Sequence, residues 1–164
     1  MQAGELRGVA DVLLHLGVLL DKDFQNAQIA ANLRMLALGE EFGRTLAAGD
    51  LVVLKGELGA GKTTFTRGIG RALGIKDVSS PTFVISRIHK SRPPLVHVDA
   101  YRLLANKTGA LEFDDLDLDT NREESIIVIE WGSDLVARLA ESYFLVEIEL
   151  VEDQDARKVV ISKT

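Results

Sequence analysis

The segment that most restricts how this chain can fold is GELGAGKT, which runs from Gly56 to Thr63. It matches G-x-x-x-x-G-K-[ST], the pattern of a phosphate-binding loop, or P-loop. Such a loop points consecutive backbone N–H groups at a phosphate, and residues without a Cβ adopt the required dihedral angles most easily. Because the pattern belongs between a strand and a helix, it predicts three adjoining pieces of the fold at once.

The sequence on both sides of this loop has the expected character. Leu51–Gly56, LVVLKG, is a short apolar run typical of a parallel strand buried on both faces. The stretch from Lys62 to Leu73 is interpreted as a helix, and Gly74 after it is a common helix terminator. The first turn of such a helix adds unpaired N–H groups and a positive dipole end. The segment is therefore predicted to bind the phosphates of a nucleotide.

Individual positions in the loop have separate predicted roles. Lys62 is expected to reach the β- and γ-phosphates, and the hydroxyl of Thr63 is expected to ligate Mg²⁺. Thr66 is interpreted as an ordinary polar position of the helix. The residues predicted to contact the nucleotide are Gly56, Glu57, Leu58, Gly59, Ala60, Gly61, Lys62, Thr63 and Thr64.

Two acidic residues close apolar runs elsewhere in the chain. Asp99 ends LVHVD, and Glu130 ends IIVIE. In an open parallel sheet, ligands bind at the carboxyl ends of the strands, so both residues are expected beside the loop. One would hold Mg²⁺ and the other would orient water, and the spacing leaves open which does which. The alternative is that each carboxylate only ends a strand in solvent.

The single tryptophan, Trp131, directly follows Glu130. A lone tryptophan is most often part of a hydrophobic core. Its position beside a predicted site residue also allows it to stack on the nucleotide base, so it is included among the nucleotide contacts. Both interpretations remain open from the sequence.

The remaining segments predict an α/β fold of the P-loop NTPase type: a mostly parallel sheet flanked by helices, with an antiparallel C-terminal hairpin at one edge. A helix is expected from Asn26 to Ala48, and Ser133 is expected to cap another over DLVARLAES. The segment SSPTFVISRIH is expected to be a loop followed by a strand, and LVHVDAYRL and SIIVIEWG are expected to be strands. The runs YFLVEIELV and ARKVVISKT are expected to form the hairpin.

Length and composition limit the classes of protein to consider. The 164 residues suit one compact domain, assigned to 26–164, preceded by an extension of residues 1–25 that is helical or flexible. The apolar run VLLHLGVLL in this extension is shorter than the roughly 20 residues that a bilayer requires, so no membrane association is expected. The absence of cysteine excludes disulfides and thiolate metal sites, and it fits a cytoplasmic location.

Charge and missing motifs narrow the choice of ligand. The formal net charge of −6 makes the chain a poor candidate for holding a nucleic-acid backbone by itself. The stretch NKTG at Asn106 lacks the aspartate of a guanine-recognition motif, so ATP is favoured over GTP.

Three functions remain: an ATPase, a small-molecule kinase and a nucleotide-gated binding module. The short, acidic stretch from Leu103 to Arg122 is poorly suited to the phosphoryl acceptor of a kinase.

Four motifs together give a more specific indication. GELGAGKTT, VSSPTF, HVDAYRL and IEWG follow one another in this order. With these separations, the chain from about Asn26 onward resembles the TsaE (YjeE) family. The resemblance implies a slow ATPase that acts with a TsaB–TsaD protein pair, which attaches threonylcarbamoyl to the adenosine beside the tRNA anticodon. In that family, ATP hydrolysis is thought to reset the complex between rounds, and contact with tRNA would be indirect.

The resemblance also implies roles for matching residues. Lys62 and Thr63 would serve phosphate and Mg²⁺, Asp99 would be essential for turnover, and Glu130 would help to hold Mg²⁺. The family loop near the γ-phosphate would comprise Ser80, Pro81 and Thr82, and the strand end would include Tyr101 and Arg102. Gly132 replaces the proline that family members often have after the tryptophan.

Overall fold

The computed structural model describes residues 24–81, 84–104, 108–120, 122–151 and 156–164, with side chains described from residue 30 onward. The predicted extension up to residue 23, Thr82 and Asn106 lie outside the described residues. Within the described parts of the chain, no helix is both long and apolar enough to cross a bilayer.

The described chain contains six strands, four α-helices and two short 3-10 turns. The strands are β1 (Leu51–Gly56), β2 (Ser86–His89), β3 (Leu95–Asp99), β4 (Ile126–Glu130), β5 (Phe144–Leu150) and β6 (Arg157–Lys163). The helices are α1 (Phe24–Gly43), α2 (Lys62–Ala72), α3 (Tyr101–Leu104) and α4 (Gly109–Asp114), and the 3-10 turns span Arg122–Glu124 and Val136–Arg138.

All six strands form one sheet in the order β2-β3-β4-β1-β5-β6. The four central strands are parallel to one another. Both edge strands are antiparallel to their neighbours, since β2 pairs with β3 and β6 with β5. The predicted α/β class, the mostly parallel sheet and the C-terminal hairpin are confirmed. The antiparallel pair at the other edge is an additional finding.

Alternate residues of β1 point into two separate cores. Val52 and Leu54 pack with α1 and α2 on one face of the sheet. Leu51 and Val53 pack on the other face with residues around α3, α4 and the Val136–Arg138 turn. The four side chains are almost completely buried, as expected for a central parallel strand. The sheet is therefore covered on both faces, with its P-loop strand in the middle.

Two helix predictions are wrong, one in where the helix ends and the other in the type of helix. The first helix ends at Gly43 rather than Ala48, and the chain then turns through Gly49, whose φ is +94°. The helix predicted over DLVARLAES is a 3-10 turn, and Ser133 does not cap it. The N–H of Arg138 bonds the Leu135 carbonyl at 3.0 Å and that of Leu139 bonds the Val136 carbonyl at 2.9 Å, which is the three-residue spacing of a 3-10 turn. The connection from β4 to β5 is 13 residues long, and three of them form this turn.

Candidate functional site

The predicted phosphate loop curls between β1 and α2. Gly59 has φ +79° and Gly61 has φ +111°, and such left-handed backbone favours glycine. The N–H of Ala60 bonds the carbonyl of Glu57 at 3.2 Å, which tightens the turn. The helix then begins at Lys62, with Gly61 as its N-cap residue. The loop therefore leads directly into a helix N-terminus, the geometry that binds anions.

Lys62 is buried beneath this loop. Its Nζ donates to the carbonyl oxygens of Gly56 at 2.7 Å and Glu57 at 2.8 Å. The same nitrogen lies 3.6 Å from the centroid of the Trp131 ring, a cation–π contact. Burial lowers the pKa of Lys62, while the nearby carboxylates of Glu130 and Asp99 act in the opposite direction. The positive charge is thus confined to the interior of the loop.

Thr63 and Glu130 meet beside the start of α2. The Thr63 hydroxyl donates to Oε2 of Glu130 at 3.1 Å, and the carboxylate is almost fully buried. Mg²⁺ binds oxygen ligands such as hydroxyls and carboxylates. In nucleotide sites it is commonly held by one or two carboxylates together with the phosphates of the substrate. The described residues contain no cluster of three metal-binding side chains. The pair fits a magnesium ion that is held jointly with a nucleotide.

Asp99 lies at the same edge of the sheet. It is the register partner of Glu130 across β3 and β4. Its Oδ1 accepts the backbone N–H of Tyr101 at 3.1 Å, and its own N–H donates to the Ile85 carbonyl at 2.8 Å. The alternative that each acidic residue ends a strand in solvent is wrong for Glu130, and Asp99 keeps partial exposure. The structure therefore brings the two predicted carboxylates together beside Lys62.

Trp131 lies against Lys62 and is not a member of either hydrophobic core described above. Its φ is +65°, and its ring lies 5.1 Å from the exposed ring of Tyr101, centroid to centroid. The indole also borders a cavity of about 500 Å³ together with Gly56, Glu57 and part of β5. A cavity of this size fits the range of small-molecule sites. The interpretation of Trp131 as a core residue is wrong.

The other predicted residues lie around this centre. Leu58 is exposed at the tip of the loop, and Thr64 faces a groove between α1 and α2. Ser80 and Pro81 lie between α2 and β2, and the Pro81 carbonyl accepts the N–H of Ile85 at 2.8 Å. Arg102 is exposed on α3. The nucleotide contacts of Leu58 and Thr64 stay predictions. The place of Ser80 and Pro81 near the γ-phosphate and the role of Arg102 also stay predictions.

Sequence reasoning missed two residues that contact the site. Nε2 of His97 lies 2.8 Å from Oε1 of Glu130, and both side chains are buried. Arg157, on β6, donates from Nε to the Ala60 carbonyl at 3.2 Å. A polar residue two positions before Asp99 in a buried strand points to the same face and could have indicated His97. The sequence contains no comparable signal for Arg157, which is 97 residues from Ala60.

Comparison with known proteins gives consistent results. The family model described as "Threonylcarbamoyl adenosine biosynthesis protein TsaE" matches residues 29–159. A relative from Streptomyces coelicolor, named tRNA threonylcarbamoyladenosine biosynthesis protein TsaE, is 50% identical over 129 residues, covering 76% of this chain and 85% of that protein. A TsaE protein from Bacillus subtilis is 35% identical over 117 residues, covering 70% of each. The crystal structure of Bacillus subtilis YdiB superposes with a TM-score of 0.63 at 28% identity over 80% of each chain.

Proposed function

Because this chain belongs to the TsaE family of tRNA threonylcarbamoyladenosine biosynthesis proteins, we propose that it is a P-loop ATPase. It binds ATP with Mg²⁺ and hydrolyses ATP to support a TsaB–TsaD-type complex. That complex threonylcarbamoylates the adenosine adjacent to the anticodon of tRNAs. The observation that supports the ATPase assignment most strongly is the contact of Thr63 with Glu130, beside Asp99 and at the end of a P-loop.

Phosphate binding uses the loop and its lysine. The backbone amides of the loop and the first turn of α2 provide donors and a positive dipole end. Lys62 already holds the loop through the Gly56 and Glu57 carbonyls. A bound triphosphate offers Lys62 stronger, charge-assisted partners than these neutral carbonyls. We therefore expect Lys62 to exchange at least one carbonyl for a phosphate oxygen.

The two carboxylates have different surroundings, which suggests different roles. Both oxygens of Glu130 already have polar neighbours, Thr63 on one side and His97 on the other. That arrangement suits a fixed ligand for Mg²⁺, which supplies charge neutralisation at the phosphates. Asp99 is more exposed, and one of its oxygens accepts a backbone N–H. Asp99 is therefore the residue proposed to orient the attacking water and accept its proton.

The cavity beside Trp131 offers space for the rest of the nucleotide. It adjoins the beginning of the loop at Gly56 and includes Ser133 and Ile148 in its lining. An indole ring at its border can stack on a base, because aromatic faces pack on bases of any identity. Trp131 is proposed to make this contact once its partner Lys62 turns toward phosphate.

The partners are proposed from charge and from the family together. With a net charge of −6, the chain has little means of attracting a tRNA backbone. We therefore propose that it contacts the TsaB–TsaD-type proteins and reaches tRNA through them. Its place of action would be the cytoplasm, where tRNA is modified.

The test of this function is a complementation experiment. Depletion of the protein in its own cells should remove threonylcarbamoyladenosine from total tRNA, measured by mass spectrometry of nucleosides. Wild-type protein should restore it, while Asp99→Asn should not. The matched control is Asp115→Asn, which changes an exposed aspartate at the C-terminal end of α4. This variant should restore the modified nucleoside fully. Unchanged nucleoside levels after depletion would refute the proposal.

A second assay separates the ATPase from a metabolite kinase. Purified protein with TsaB–TsaD partners, tRNA and threonylcarbamoyl donor should release inorganic phosphate from ATP and support many rounds of modification. Full multi-round modification without this protein would contradict the proposal. Faster phosphate transfer to a metabolite than to water, without protein partners, would favour a kinase instead.

A further inference from the structure

We propose that His97 is a positioning residue for the magnesium ligand Glu130. Its imidazole holds one carboxylate oxygen of Glu130 so that the other oxygen faces Thr63. The inference rests on the proposed function, because it concerns how that site holds its metal ion. It adds His97, the first residue of the motif HVDAYRL, to the residues proposed to act on phosphate, metal and water directly, which are Lys62, Thr63, Asp99 and Glu130.

The contacts form a chain of three side chains from three different elements. Nε2 of His97 on β3 lies 2.8 Å from Oε1 of Glu130 on β4. Oε2 of the same carboxylate accepts the Thr63 hydroxyl of α2 at 3.1 Å. Both ends of the carboxylate are therefore held, which fixes the rotation of the group as well as its position. A ligand carboxylate with a fixed orientation presents a defined lone pair to a metal ion.

Burial makes this hydrogen bond stronger than the same bond would be at the surface. The side chain of His97 is 0% exposed and that of Glu130 is 4% exposed. With water excluded, Oε1 of Glu130 and the imidazole of His97 depend on each other for a hydrogen bond, and loss of one leaves the other unsatisfied. A rotated Glu130 would have no solvent to compensate for the lost bond.

The hydrogen on the imidazole can be placed by its neighbours. Because carboxylate oxygens accept hydrogen bonds, we infer the tautomer of His97 in which Nε2 carries the hydrogen and donates it to Glu130. Nδ1 is buried and has no hydrogen-bond partner among the described residues. The ring therefore makes its polar contact through Nε2 alone, and that contact is with Glu130. A histidine placed only to fill the core would not need to point a nitrogen at the site.

The position itself favours an apolar residue in the absence of such a role. Leu95, Val96 and Val98 on the same strand are buried and apolar. A buried polar ring costs free energy unless it is hydrogen-bonded. His89 on β2 provides a useful contrast, since its ring centroid is 6.3 Å from that of His97 and its Nε2 has no described partner. His89 is also buried, at 8% exposure against 0% for His97, but among the described contacts no hydrogen bond joins it to Glu130.

The experiment compares two substitutions that differ in where the amide nitrogen lies. In His97→Gln the side-chain amide extends to about the position of Nε2, so it can still donate to Glu130. In His97→Asn the amide lies nearer the position of Nδ1 and falls short. The readout is the affinity for a fluorescent ATP analogue, measured with Mg²⁺ and again with EDTA. Trp131, the only tryptophan, gives an independent fluorescence signal.

Wild-type protein should bind the nucleotide more tightly with Mg²⁺ than with EDTA. In His97→Asn, the ratio of the affinity with Mg²⁺ to the affinity with EDTA should be about 10–100-fold smaller than in the wild type. This is the usual effect of removing a group that orients a metal ligand. Its affinity in EDTA should match the wild type, because the loop and Lys62 are untouched. His97→Gln should recover most of the gain. His89→Asn, the matched control, should leave both affinities unchanged.

Three results would decide against the inference in distinguishable ways. If the wild type gains from Mg²⁺ and His97→Asn gains equally, His97 does not position the ligand. If His97→Asn weakens binding equally with Mg²⁺ and with EDTA, its role is structural only. If the wild type itself gains nothing from Mg²⁺, the failure lies with the proposed function, and the inference falls with it.

Nuclear magnetic resonance of the wild-type protein tests the same point without relying on a variant that folds. Long-range proton–nitrogen correlation spectra of histidine-labelled protein report which ring nitrogen carries the hydrogen. His97 should be the Nε2–H tautomer, and its ring signals should shift when Mg²⁺ is added to nucleotide-saturated protein. An Nδ1–H tautomer, or no response to Mg²⁺ while binding tightens, would overturn the inference.

Discussion

Lys62 is the residue whose surroundings are expected to change most on nucleotide binding. Its ammonium has three N–H donors, and the carbonyls of Gly56 and Glu57 take two of them. The Trp131 ring covers the same group. These contacts keep a buried charge satisfied until a phosphate replaces some of them. We therefore expect this side chain to support the loop before a nucleotide binds and to bind a phosphate afterwards.

Asp99 provides the sharpest prediction at the scale of one residue. In Asp99→Asn the shape and the Tyr101 N–H contact are retained, but the group that accepts a proton is lost. ATP binding should therefore stay within a few-fold of wild type, while hydrolysis should fall by at least about 10²-fold, as expected for a general base. Binding is measured by isothermal titration, and hydrolysis by phosphate release.

The matched control for this change is Asp115→Asn, which removes an exposed carboxylate. It should leave both binding and hydrolysis unaltered. Hydrolysis by Asp99→Asn at the wild-type rate would show that Asp99 does not activate water. Loss of ATP binding in the same variant would assign Asp99 to the binding site instead.

Among the larger elements, the crossing of α1 and α2 sets the position of the loop. Two glycines allow the helices to approach closely there. A Cβ on Gly39 would lie 2.2 Å from the Phe65 carbonyl oxygen, and a Cβ on Gly68 would lie 2.3 Å from that of Leu36. Such distances are too short for any real side chain, and the obstructing atoms are backbone. The helix that begins at the phosphate loop is thus held against α1 by backbone contact.

Gly68→Ala should therefore destabilise the protein. In an exposed helix the same change would increase the unfolding free energy by about 1 kcal/mol, because alanine has the higher helix propensity. At Gly68 we expect the unfolding free energy to fall instead. Overpacking at this crossing should cost about 1–3 kcal/mol of unfolding free energy, measured by urea denaturation. Arg71→Ala, on the exposed side of α2, should change it by less than about 0.5 kcal/mol. An increase in stability for Gly68→Ala would contradict the close approach.

On the other face of the sheet, α4 is linked to the Val136–Arg138 turn by an ion pair. Arg138 Nε donates to Oδ1 of Asp114 at 2.9 Å, and a second bond joins Nη2 to Oδ2. The hydrogen bond from Arg138, and then its charge, lower the pKa of Asp114. A lowered carboxyl pKa adds stability at pH values above the unfolded pKa, and that stability is lost as the pH falls through the folded pKa.

Arg138→Gln should accordingly be less stable than wild type at about pH 7 and should approach it at about pH 3, below the ordinary pKa of aspartate near 3.9. The effect should be small, because both side chains are largely exposed. Urea midpoints at the two pH values give the comparison, and Asp114→Asn completes a double-mutant cycle. A stability difference that grew toward acid pH would contradict the assignment.

At the scale of the whole molecule, the sheet brings distant segments to one edge. Gly56 ends β1, Asp99 ends β3 and Glu130 ends β4, and the parallel pairing of these strands places their ends side by side. The β5–β6 hairpin adds Arg157, which bonds the loop from the opposite side. No single segment contains the site, so its formation depends on the sheet being assembled.

Much of this arrangement could be predicted from the sequence. The loop from Gly56 to Thr63 imposes a strand and a helix, and the observed β1 has the predicted bounds. Asp99 and Glu130 could be placed together because parallel strands share a carboxyl edge. Both predictions follow from rules about local sequence or sheet topology, and a short sequence pattern was enough to apply each rule.

The rest depended on packing that no local pattern records. The contact of His97 with Glu130 requires the relative register of β3 and β4. The position of Trp131 over Lys62 depends on a left-handed backbone at a residue that is not glycine. The segment after Ser133 has helical spacing, but in the fold it forms a 3-10 turn. In each case tertiary structure decided between options that the sequence left open.

The central claim is that this loop, with its lysine and two carboxylates, binds Mg²⁺-ATP, and calorimetric titration of Mg²⁺-ATP tests it most directly. The wild type should bind with measurable heat, and Lys62→Ala should bind at least about tenfold more weakly, since a charged hydrogen bond contributes about 1.5–3 kcal/mol. Lys90→Ala, at an exposed lysine beyond β2, should bind like wild type. Absence of binding by the wild type, or equal affinity in Lys62→Ala, would contradict the account.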